Sequence, residues 1–121
     1  RIVKIVPVLK KEIELNDGKK IWVRQASGMD KLAIEKTQAQ ILRKFRHFGA
    51  NPAEWTDEQH SEFSDALTDA GAGIDGQIKT WVPACVISED VDVNTLTSEE
   101  LRTILEFVRG DDLEGAIPLD S

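Results

Sequence analysis

At 121 residues, with 40% hydrophobic and 31% charged side chains, the chain has material for one domain with a modest core and a hydrated surface. A single cysteine, Cys85, excludes an internal disulfide framework, and no stretch approaches the roughly 18 apolar residues of a membrane span. The formal net charge is −7 and unevenly spread: residues 1–48 carry 12 Lys/Arg against 5 Asp/Glu, whereas residues 49–121 carry 3 against 17. Such a split either steers association, with another protein or a second copy, or is neutralised within one fold.

The opening run, Arg1-Ile2-Val3-Lys4-Ile5-Val6-Pro7-Val8-Leu9, is apolar but interrupted by Lys4 and Pro7, and no small-residue cleavage site follows it. It reads as a third strand or as a docking arm, with Ile5 and Val8 as candidate contacts. From Lys11 to Arg24 the pattern is that of a β-hairpin. Ile13 and Leu15 alternate with Glu12, Glu14 and Asn16; Asp17-Gly18 supplies the turn; Ile21 and Val23 alternate with Lys20, Trp22 and Arg24.

A first helix is expected after Ser27, where Ser27 and Asp30 form a capping box. Its apolar stripe is Ile34, Ile41, Leu42, Phe45 and Phe48, and Gly49 with Asn51-Pro52 ends it. A second starts at Thr56, capped by Thr56 and Gln59, with Phe63, Ala66, Leu67 and Ala70 inward, and breaks at Gly71-Ala72-Gly73. Ile74, Ile78, Trp81 and Val82 mark a third, short helix that finishes near Pro83. An acidic connector from Pro83 to Asn94 precedes a fourth helix, opened by the Thr97/Glu100 box, carrying Leu101, Ile104, Leu105 and Val108, and stopped by Gly110. The expected class is therefore α+β: one domain over 1–110, a hairpin with about four helices, followed by an acidic, flexible tail over 111–121.

Motifs for chemistry are absent from the sequence. It has no G-x-S-x-G, phosphate-binding loop, G-x-G-x-x-G or H-E-x-x-H. His47 follows the basic run Arg43, Lys44, Arg46, and His60 lies in the first turn of the next helix; both read as surface residues. The run Ser88 to Asn94, numbered as a calcium loop, would place Val93 where an EF-hand needs glycine, so it reads as a solvated connector. The lysines and arginines of the first half are interleaved with few aromatics and accompanied by a strongly acidic second half, which argues against nucleic acid. A lone thiol fits a reducing compartment and a buried structural role for Cys85. No enzyme activity, cofactor or metal is expected.

The order of these pieces resembles the tail-assembly chaperones of long-tailed bacteriophages. The resemblance rests on Ile13-x-Leu15-x-Asp17-Gly18-Lys19-x-Ile21-x-Val23-Arg24, on Ser27-Gly28-x-Asp30 opening a helix with Leu32 and Glu35-Lys36, on Ile78-x-x-Trp81, and on Leu96-Thr97-x-x-Glu100-Leu101-x-x-Ile104. It covers most of residues 11–110, and Arg1–Leu9 departs from the pattern. The resemblance implies a small non-catalytic adaptor that binds the tape-measure protein and recruits tail-tube subunits in the host cytoplasm. Such adaptors often occur in a short and a frameshifted longer form, and are absent from the finished virion. The alternative expectation is a structural subunit of the particle, a neck, completion or tail protein resident in the virion, which assembles, with itself among others, through the N-terminal arm. From residue chemistry alone, the candidate protein-binding residues are Trp22, Arg24, Arg43, Lys44, Arg46, Trp55, Ile5 and Val8.

Overall fold

The hairpin forms where the alternation places it. Strands β1 (Leu9–Glu14) and β2 (Lys20–Arg24) pair antiparallel, with Ile13 opposite Ile21 and Glu12 opposite Trp22. Gly18 takes a left-handed φ of 88°, and the Asp17 carboxylate accepts the Lys19 N–H at 3.0 Å, which closes the turn. Period-2 alternation sends Ile13, Ile21 and Val23 into the core and leaves Lys10, Glu12, Glu14, Trp22 and Arg24 on the outer face. The computed structural model describes residues 8–121, so Ile2–Val6, and with them the candidate contact Ile5, lie outside the described residues.

All three capping boxes are present. Helix α1 (Gly28–Lys44) begins with reciprocal bonds between Ser27 and Asp30, α2 (Asp57–Asp69) with Thr56 and Gln59, and α4 (Ser98–Arg109) with Thr97 and Glu100. Helix α3 (Ile74–Cys85) lacks a side-chain cap at Gly73. It also runs past its expected end, because Pro83 sits in the last turn, where its missing N–H costs a single helical bond. Gly110, in the left-handed conformation, ends α4 and lets the Asp111 N–H reach back to the Glu106 carbonyl at 2.8 Å.

The sheet has three antiparallel strands in the order β2-β1-β3. The third strand comes from the C-terminal side: β3 (Ile117–Pro118) pairs with Leu9 and Lys10. The segment expected as a flexible acidic tail therefore lies along β1, helped by an ion pair between Lys11 and Asp112 at 3.5 Å. Val8 is half-buried beside it, its carbonyl accepting the Leu119 N–H at 3.0 Å. The opposite edge, β2, is covered by the connector: Val86 bridges Val23, the Ile87 N–H donates to the Trp22 carbonyl, and the Ser88 hydroxyl accepts the Trp22 N–H. The outer side of β1 is thus paired at its start, and that of β2 at Trp22 and Val23, which limits uncontrolled strand pairing there.

One core fills the space between sheet and helices. Ile13, Leu15, Ile21 and Val23 meet Trp81, Val82 and Cys85 of α3 and Ile104, Leu105, Phe107 and Val108 of α4, with Ile34 of α1 at the side. The expected stripe on α1 divides: Ile34 alone is buried, whereas Leu42 is exposed and Phe45 and Phe48 join a second, smaller cluster with α2.

Candidate protein-binding surfaces

Trp22 projects from the outer hairpin face, half-buried, with the Lys10 ammonium 5.0 Å from its ring centroid. Its neighbour Arg24 is engaged internally rather than offered to a partner. One guanidinium nitrogen donates to Asp30 at 2.7 Å and to the Gln25 carbonyl at 3.0 Å; the other donates to the Ala84 carbonyl at 2.9 Å. This single side chain ties β2 to the start of α1 and the end of α3. The Arg24 guanidinium, with the Ser27 N–H also donating, holds the Asp30 carboxyl down to about 2.

Arg43, Lys44 and Arg46 are exposed at the end of α1, and among the described residues none of them forms an ion pair. The positions of Arg43 and Lys44 in the last turn suit the negative helix end. Trp55, expected as an anchor for a partner, is 7% exposed and packs inside the protein. Phe48 and Phe63 meet it edge-on at 5.6 and 5.5 Å, and its indole N–H donates to the Gly49 carbonyl at 3.0 Å. His47 and His60 flank this cluster, 4.5 Å from Phe48 and 5.6 Å from Trp55 respectively. They are aromatic packing at the surface; among the described residues no group of three or more His, Cys, Asp and Glu is placed to hold a metal ion. Trp22, Arg43, Lys44 and Arg46 remain accessible, but on separate elements, and they do not form one site.

An apolar concave surface lies elsewhere. Between helices α3 and α4 lie two adjoining hollows of about 270 and 280 Å³ that share Ile78, Lys79 and Leu101. Helical spacing orders α3: Gln77, Trp81 and Cys85 are buried on one side, while Ile74 and the half-buried Ile78 line this groove, which ends on Val82, itself a core residue. Leu101, Leu96 and Val93 form the other wall. Ile74 is 45% exposed, a large apolar side chain left open to solvent. Lys79 and Arg102 stand on opposite walls, and among the described residues neither is ion-paired. Asp75 is the one carboxylate in the lining.

Sequence reasoning assigned Ile78 and Leu101 to helix interiors and overlooked the groove. A signal existed: α3 carries apolar residues in two rows rather than one, more than a single core-facing stripe needs. A second signal is that Lys79 and Arg102 are two of the three Lys/Arg in residues 49–121. Comparison of the chain with family models, with curated proteins and with solved structures gave no match.

Proposed function

We propose that the chain is a non-catalytic binding protein, a tail-assembly chaperone of a long-tailed bacteriophage that holds the tape-measure protein and recruits tail-tube subunits in the host cytoplasm. The observation that supports this reading is the open groove between α3 and α4, whose apolar lining suits the apolar face of a helix of another protein. A tape-measure protein, as a long coiled coil, offers such helices in number. The order of hairpin, capped helices and acidic connector supports the same assignment by its resemblance to that group.

The test is co-expression with the tape-measure protein of the same source, followed by purification of both the complex and mature particles. Recovery of a stable complex, and absence of the chain from particles, is the expected result. Finding the chain as a stoichiometric part of purified virions would instead make it a structural subunit.

A further inference from the structure

We infer that the α3–α4 groove takes an amphipathic helix of a partner protein whose apolar row is flanked by carboxylates. The groove floor follows one row of α3, from the exposed Ile74 through the half-buried Ile78 to the buried Val82 at its end. At 1.5 Å per residue this is roughly 12 Å, a little over two helical turns. An occupant presenting apolar residues at i, i+4 and i+7 would lay them along that floor, between the α3 row and Leu101 with Leu96.

Charge selects the kind of helix. Lys79 and Arg102 rise from the two walls without ion-pair partners among the described residues, in a half of the chain that is otherwise acidic. A helix with Glu or Asp beside its apolar row would meet both cations, and a lysine-rich helix would be repelled by them. The same comparison disfavours a second copy inserting its α1. The exposed face of α1, with Met29 80% and Leu32 58% accessible, carries Lys36 one turn after Leu32 and Arg43 further along the same line, with Glu35 at its side. A copy of α1 would bring like charge to Lys79 and Arg102.

The experiment uses the full chain and two fluorescein-labelled synthetic helical peptides with one leucine row, flanked by glutamates in one and by lysines in the other. Fluorescence anisotropy is expected to show the glutamate peptide binding about fivefold more tightly or better, as a few rim charges allow. The exposed double variant K79E/R102E, with an unchanged circular dichroism spectrum, should invert that preference. Equal affinity for the two peptides, an unaltered preference in K79E/R102E, or no saturable binding of the glutamate peptide would each overturn the inference. The proposal rests on reading the groove as a protein-binding site, and its failure is separable from that of the tail-chaperone assignment. Capture of the tape-measure protein equally by wild type and K79E/R102E leaves the chaperone standing and removes the charge rule. Peptide discrimination without tape-measure capture does the reverse.

Discussion

Arg24 and Asp30 form the tightest ion pair among the described residues, Nη1 to Oδ2 at 2.7 Å, and it joins the end of the hairpin to the first turn of α1. The same Asp30 oxygen accepts the N–H and the hydroxyl of Ser27, at 2.8 and 3.0 Å. Capping box and ion pair therefore share one carboxylate oxygen, and the angle at which the helix leaves the sheet depends on it.

Replacing Asp30 by Asn should lower stability by about 1–2 kcal/mol at neutral pH, the usual range for losing a cap and a charged hydrogen bond. Because the carboxyl sits at about 2 against an ordinary value of 3.8, its contribution is complete above the ordinary value and is lost as pH falls towards 2. Urea unfolding of wild type between pH 5 and 2 should lose this increment, and D30N should lack it. Parallel pH curves for the two proteins would contradict the assignment.

Gly76 is irreplaceable for a steric reason. A Cβ there would meet the Gly71 carbonyl carbon at 2.5 Å, and lie closer still to its oxygen, so the turn before α3 would have to move. Gly76→Ala should cost about 3 kcal/mol despite alanine's better helix propensity. Gly28→Ala, whose Cβ would meet nothing within 4 Å, is the control and should change thermal stability little.

Trp55 should be the keystone of the smaller aromatic cluster. Trp55→Ala should destabilise by about 3–4 kcal/mol, as for large buried aromatics. Hydrogen exchange should rise first in residues 45–63, with the Ile21 and Val23 amides still protected. A uniform rise over both regions would show instead that the two clusters unfold as one.

Cys85 is fully buried, and burial pushes its thiol up to about 11 from 9.0, with the nearby Arg24 cation opposing only in part. The native thiol should resist Ellman's reagent at pH 8 and react at once in denaturant. The raised value also means that stability falls as pH climbs above about 9, where the unfolded thiol ionises and the folded one does not.

The local grammar of the chain was legible. Ser27, Thr56 and Thr97 each open a helix, Asp17-Gly18 turns the hairpin, and Gly110 stops α4, because these signals act between residues a few positions apart. Helical spacing on α1 could not distinguish a core from a satellite: Ile34 went to one, Phe45 and Phe48 to another, and Leu42 to solvent. Strand β3 has two residues, one a proline, and no alternation to read. The groove was illegible for a deeper reason. Ile78 and Leu101 each belong to an ordinary amphipathic helix, and the hollow exists only where α3, α4 and the segment before α4 come together. The engagement of Arg24 was illegible in part: Gln25 and Asp30 are near it in sequence, but the Ala84 carbonyl reaches it only through the fold.

The hydrogen bond from Leu119 to Val8 brings the two ends of the described chain side by side, at the start of β1. The groove, through Leu96, adjoins Leu15 at the finish of that strand. Val8 and Leu119 thus meet at one end of β1, and the hollow adjoins the other. A linker joining Val8 to Leu119 would bridge that end of the strand without crossing either wall of the hollow.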